Sequence, residues 1–194
     1  MKIIAITGSI GCGKTYISNI IRSLYYPVFD ADKEIKLFYK NKEFLEDIKS
    51  EFPKCFENNV FNKRKLRDLV FNDNKKLKKL EAKTHPLLKK KFKNKIKKSA
   101  KNSELFFIDA ALIFEMGWDV FCDYIILADV DKNIQKQRVI KRDNINEQDF
   151  EKIIANQTDN EIKKEKSDFV INTEIPEGII KVMLIKFIDE VINA

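Results

Sequence analysis

Gly8-Ser9-Ile10-Gly11-Cys12-Gly13-Lys14-Thr15 fits the spacing G-x-x-x-x-G-K-[ST], and those residue types in that order make a cradle for phosphate. Backbone lacking Cβ at the glycines folds tightly and aims successive N–H groups at phosphate oxygens. A helix opening at Gly13-Lys14 would add the positive end of its dipole to the same anion. Lys14 would reach the β and γ phosphates of a nucleoside triphosphate, and the Thr15 hydroxyl would ligate magnesium. The nucleotide-binding stretch is therefore expected to be Gly8, Ser9, Ile10, Gly11, Cys12, Gly13, Lys14, Thr15 and Tyr16.

Other groups with chemical potential lie farther along. Asp30-Ala31-Asp32 closes a short apolar run; two carboxylates there could orient a substrate hydroxyl, accept its proton or hold a magnesium-bound water, or simply cap the next helix. Asp109 ends Leu105-Phe106-Phe107-Ile108, where it is either a second magnesium carboxylate or a plain strand-ending residue. Arg138 and Arg142 stand four apart, so on a helix both guanidinium groups leave one face and can converge on phosphate oxygens. Ion pairing with Asp143 or Glu147 is the alternative. Arg64 and Arg67 form another pair, and His85, beside Pro86, either fixes a helix break or touches a ligand.

To position these groups the chain must alternate strand and helix. Candidate strands are Lys2 to Thr7, Pro27 to Asp30, Leu105 to Asp109, Tyr124 to Ala128 and Asp168 to Ile171, interleaved with long amphipathic segments. That is the pattern of a parallel sheet covered by helices on both faces. The phosphate motif thus follows a strand and opens a helix, Lys14 to Leu24, which is its confirming context. Lys132 to Lys141 reads as helix, and Asn146 as the N-cap of another running toward Lys164, with Asp149 at the capping-box position. After Pro176, Ile180, Met183, Leu184, Phe187, Ile188 and Val191 recur at helical spacing and should pack on the sheet. From about 32 to 101 no strand is expected. Leu77, Leu80, Thr84, Leu88, Phe92 and Ile96 give a helical pattern that Pro86 should kink or restart.

Composition narrows the class. At 194 residues the chain has room for one good core, with an inserted subdomain. No run approaches the length of a membrane span, and the N-terminal apolar run breaks too early for a signal peptide, so a cytoplasmic protein is expected. Cys12, Cys55 and Cys122 are scattered, which suits neither a disulfide framework nor a zinc site. The net charge is +7, but only five of the 37 basic residues are arginine, and lysine excess of this kind reflects compositional bias more than a nucleic-acid surface. The lysines from Lys89 to Lys98 read as the solvated face of a helix.

A cradle alone does not decide where the γ-phosphoryl goes. A switch GTPase needs N-K-x-D and D-x-x-G, and neither string occurs. The chain is also short for a transporter or helicase motor. Small kinases remain, with a nucleotide-regulated nucleic-acid-binding protein as the reading from another class.

Taken in order, the motifs resemble the dephospho-coenzyme A kinase family. Its phosphate loop is similar to Thr7 to Thr15, and its D-A-D signature to Asp30-Ala31-Asp32. Its arginine-containing helix before an H-P pair is echoed by Arg64 to Phe71 and then Thr84-His85-Pro86-Leu87. Its D-x-P-L-L-F-E stretch resembles Asp109 to Glu115, with Ala111 in place of proline. Its Q-x-x-R-x-x-x-R pattern matches Gln135, Arg138 and Arg142, followed by Gln157 and Ser167 to Asn172. Asn172-Thr173-Glu174 departs from the family's asparagine and glycine, and no adenine contact is assigned there.

The resemblance implies an α/β P-loop NTPase fold: three layers, a central parallel five-stranded sheet, a helical substrate-binding insertion and a helical lid. The core would be about 1–31, 102–137 and 166–194, the insertion about 32–101 and the lid about 138–165. It implies ATP and Mg2+ as cofactors and transfer to the ribose 3′-hydroxyl of dephospho-CoA, the last step of coenzyme A synthesis. Asp32, Lys14, Arg138 and Arg142 would be catalytic; Asp30, Asp32, Arg64 and His85 would bind substrate; Thr15 and Asp109 would hold the metal. No nucleic-acid or membrane partner is expected. A monomer is expected, with an oligomer left open, and another small P-loop kinase, acting on a nucleoside monophosphate or a small alcohol, is the alternative within enzymes.

Overall fold

A computed structural model describes all 194 residues except the side chain of Phe71. In chain order the elements are β1 (Lys2–Thr7), α1 (Lys14–Ser23), β2 (Val28–Asp30), α2 (Ala31–Phe38), α3 (Lys42–Glu51), β3 (Phe56–Glu57), β4 (Val60–Phe61), α4 (Lys63–Phe71) and α5 (Asn74–Ser99). Then come β5 (Leu105–Asp109), β6 (Tyr124–Asp129), α6 (Lys132–Asp143), α7 (Glu147–Ala155), α8 (Asn160–Glu165), β7 (Phe169–Asn172) and α9 (Glu177–Asn193). The chain divides into two compact units, Met1–Asp30 with Asn94–Ala194, and Ala31–Lys93.

The first unit holds one parallel sheet in the order β2-β5-β1-β6-β7. All five expected strands form, within a residue at their ends. β5 is buried along its whole length, as an unbroken apolar run requires when helices cover both faces. One side of the core joins Ile4 and Ile6 of β1 to Ile17, Ile20 and Ile21 of α1 and to Ile180, Leu184, Phe187, Ile188 and Val191 of α9. Full burial of each such side chain contributes about 1.5–3 kcal/mol. After β1 the chain runs outward to β2, and it later returns through β5 to the other side at β6 and β7. The loop after β1 therefore sits where the strand order reverses, the place an open α/β sheet offers a ligand.

Register matters as much as order. Asp30 of β2 lies opposite Asp109 of β5, and Ile6 of β1 lies opposite the same Asp109. The carboxyl ends of three neighbouring strands thus finish level with the start of the phosphate loop.

The second unit is mostly helical, with one correction to the expected absence of strand. Phe56–Glu57 and Val60–Phe61 pair antiparallel around Asn58 and Asn59, whose φ angles are 48° and 65°. Asparagine tolerates that left-handed region, and two such residues make a tight hairpin turn. Strands this short have too few residues to show a period. A second correction concerns one of the two outcomes expected at Pro86, the restart: α5 runs through the proline as one helix. Thr84, Leu88 and Phe92 lie buried along one face of that helix, so packing outweighs the hydrogen bond that proline removes. The lysines from Lys89 to Lys98 are exposed, with Lys91 reaching Glu34 at 2.6 Å.

A third correction falls in the first unit. The helix expected to run from Asn146 toward Lys164 is two helices, α7 and α8, broken at 156–159. Asn146 caps α7 by accepting from the Asp149 amide, and Asp159 caps α8 by accepting from the Glu161 amide, so each helix has its own start signal. Among the described residues no helix is long and apolar enough to cross a membrane.

Candidate active site

The phosphate loop leaves β1 and enters α1 through Gly13, whose φ of 90° favours glycine. Space is short there too: a Cβ on Gly13 would lie 2.9 Å from Thr173 Oγ1, and one on Gly8 would lie 2.7 Å from the Ala128 carbonyl oxygen. These glycines are dictated by close neighbours as well as by backbone shape.

The loop is gripped from outside. Gln135 on α6 donates to the Ile10 carbonyl at 2.7 Å, and Gln157, in the break between α7 and α8, accepts from the Ile10 amide at 3.0 Å. Both backbone groups of one loop residue are thereby engaged by side chains. Thr173, just past β7, donates to the Cys12 carbonyl at 2.8 Å. Lys163 of α8 is fully buried and donates to Ser9 Oγ at 3.0 Å, with Glu115 Oε1 3.8 Å away. Glu115 in turn accepts from the Thr158 amide at 2.6 Å. Burial pulls the Lys163 ammonium down from its usual range while Glu115 supports it, so the fold holds a cation behind the loop against a desolvation cost.

Inside the cradle, Lys14 donates to and ion-pairs with Asp109. Asp109 is 1% exposed, and its second carboxylate oxygen, Oδ2, is buried with no hydrogen-bond partner. Arg22 Nη2 stands 3.9 Å from that oxygen and 3.5 Å from Asp30 Oδ2. Arg22 therefore sits beside two of the expected site carboxylates. Thr15 is exposed in the first turn of α1. Tyr16 points its hydroxyl to Glu177 at 3.4 Å. Cys12, despite its place in the loop, is buried, and that burial, with Asp129 nearby, pushes its thiol up to about 11. It is an inert packing residue at neutral pH. Among the described residues no three His, Cys, Asp or Glu side chains gather into a metal cage.

The paired arginines have different partners. Arg138 Nη1 donates to Thr173 Oγ1 at 3.1 Å. Arg142 makes a bidentate pair with Asp143 at 2.9 and 2.9 Å, one of the two ion pairs that its sequence allowed; Glu147 is engaged by Lys136. The remaining expected residues belong to the second unit. Asp32 lies in the first turn of α2, Arg64 is exposed near the start of α4, and His85 is half-buried within α5, where burial lowers its pKa.

A family model described as dephospho-CoA kinase matches residues 2–177. The dephospho-CoA kinase of Bartonella henselae is 36% identical over 174 residues, 89% of each chain. The dephospho-CoA kinase of Aquifex aeolicus is 38% identical over 175 residues, 89% of this chain and 88% of that one.

The chain belongs to the dephospho-CoA kinase family.

Its fold agrees with that of a solved dephospho-CoA kinase from Campylobacter jejuni, at a TM-score of 0.69 and 28% identity over 98% of both chains. A deoxyadenosine kinase from M. mycoides, 18% identical with a TM-score of 0.55 over 97% of this chain, shares the fold alone. Both are small kinases, and the five-stranded parallel sheet with the loop at its switch point is a P-loop kinase core. For this dephospho-CoA kinase family member, the residues that sequence reasoning missed are those that hold the loop rather than line it. Lys163 was hidden among 32 lysines, and nothing in its immediate neighbours marks it as buried. Arg22 has only Asn19 as a partner nearby in sequence, and its carboxylates lie far along the chain or on another strand. Gln135 and Gln157 carried a signal only as members of the ordered family pattern, and Thr173 stood out only as a departure from it.

Proposed function

We propose that the protein transfers the γ-phosphoryl group of ATP to the ribose 3′-hydroxyl of dephospho-CoA, giving coenzyme A and ADP. The observation that carries this reading is the Lys14–Asp109 pair at the mouth of a clamped phosphate loop, level in register with Asp30, in a chain of this family.

In this scheme the loop amides and the dipole of α1 grip the triphosphate, and Lys14 follows the γ-phosphoryl as it moves. Asp32, which follows the end of β2 in the chain, takes the proton of the attacking hydroxyl. Arg138 and Arg142 neutralise charge spreading over the transferring oxygens, and Arg64 and His85 line the substrate side. The residues present suit a magnesium ion: Asp109 Oδ2 is a buried anionic oxygen lacking a donor, and Thr15 supplies a hydroxyl at the helix start. Phosphate-bound magnesium keeps several waters and needs only one or two protein ligands. When bound, it would supply charge neutralisation of the β and γ oxygens.

The test is an acceptor screen. Purified protein with ATP and magnesium should release ADP on addition of dephospho-CoA, with coenzyme A as the product. Release with a nucleoside monophosphate or a small alcohol, and none with dephospho-CoA, overturns the assignment.

A further inference from the structure

Thr173 is one residue whose contacts exceed anything expected of a loop after a strand. Its amide donates to the Asp129 carbonyl at 2.9 Å, fixing it to the end of β6. It is buried. Its hydroxyl proton is committed to the Cys12 carbonyl at 2.8 Å, and the same oxygen accepts from Arg138 Nη1 at 3.1 Å. A hydroxyl has one proton and two lone pairs, so giving the proton to Cys12 leaves a lone pair aimed at the guanidinium. Its Cβ and Cγ2 would lie 3.0 Å from a Cβ on Gly13, which occupies the same corner of the loop.

We propose that Thr173 is a positioning residue that sets two anion-binding donors at once: the Gly13 amide of the phosphate loop and the guanidinium of Arg138. The first half follows from peptide planarity. The Cys12–Gly13 peptide is one rigid plane, so holding its C=O on one side fixes the direction of the Gly13 N–H on the other. The second half follows from entropy. Arg138 is exposed on α6, and a free arginine samples many rotamers that a bound transition state must exclude. Holding Nη1 on a buried hydroxyl keeps the head near the loop before the reaction begins, and orientation of this kind is where a small misplacement costs rate.

This inference rests on the proposed role of Arg138 in phosphoryl transfer, and the test separates the two. Thr173→Val keeps the shape and removes both hydrogen bonds; Thr173→Ser keeps the hydroxyl. Thr173→Val is expected to lower kcat by about tenfold to a hundredfold with little change in KM for dephospho-CoA, while Thr173→Ser stays within about threefold of wild type. In Arg138→Ala the further change Thr173→Val should cost clearly less than it does in wild type, because the share that runs through Arg138 is already gone and only the share that runs through the Gly13 amide remains. Wild-type kcat in Thr173→Val alongside a slow Arg138→Ala overturns the positioning role of Thr173 and leaves the reading of Arg138 standing. A loss confined to KM for ATP overturns the Arg138 half of the proposal, since Thr173 would then serve the loop only. Wild-type kcat in Arg138→Ala overturns both the Arg138 half of the proposal and the reading of Arg138.

Discussion

Three carboxylates crowd the carboxyl edge of the sheet or follow it in the chain, and their surroundings divide the labour. Asp109 is sealed from solvent and tied to Lys14, with one oxygen left over; Asp30 faces Arg22 at 3.5 Å. Under the proposed function Asp32, partly exposed in the first turn of α2, would be the acceptor. Asp32→Asn keeps the size and removes the basicity, so kcat should fall by about 10²- to 10⁴-fold. ATP binding, followed by titration calorimetry, should stay close to wild type. Wild-type turnover in that variant would remove Asp32 from the mechanism. The site was readable in the sequence as far as its acidic and glycine positions, because a phosphate cradle demands those residue types at fixed spacing. Arg22 was not readable: its carboxylate neighbours arrive through strand register, which no local spacing reveals.

Among the elements, α8 is the one whose sequence gave least away. Its three other charged residues, Glu161, Lys164 and Glu165, suggest a solvated turn, yet Lys163 is buried and meets Ser9 and Glu115. Burial opposes its charge, but Glu115 and Ser9 are its partners there. Lys163→Met removes one side of that arrangement and leaves the other behind, so the variant is expected to unfold at a lower denaturant concentration than wild type. A cost should appear in function as well. Losing the tie to Ser9, a hydrogen bond worth about 0.5–1.5 kcal/mol net, should weaken ATP binding by about twofold to tenfold. A destabilised variant with unchanged ATP affinity would show that the lysine is structural. Strands β1 and β5 and the core face of α9 were legible because their apolar patterns are long and regular. The α7–α8 break was not, since its local mark is a single cap, Asp159, and apolar periodicity does not register a cap. The β3–β4 hairpin escaped because its signal is two asparagines in a left-handed turn rather than a period.

For the molecule as a whole, acid response depends partly on the second unit. His85 is the only histidine, and burial holds its pKa below the usual value, with Glu81 opposing weakly. The unfolded chain therefore binds a proton at about pH 6.5 that the folded chain still refuses. Stability contributed by neutral His85 is complete above that pH and is lost as pH falls toward the folded value. Urea unfolding at pH 7.5 and pH 5.5 should show wild type losing more stability on acidification than His85→Gln does; equal losses would rule out this contribution. The contacts that shape the phosphate loop reach much farther along the chain. Ile10, Ser9 and Cys12 are held by residues 125 to 161 positions later. During translation, the peptide that grips ATP is thus made long before the side chains that give it its form. A nascent chain halted before β7 would carry the whole motif and still lack the Thr173 tie, so nucleotide would have its proper seat only once the chain has passed β7.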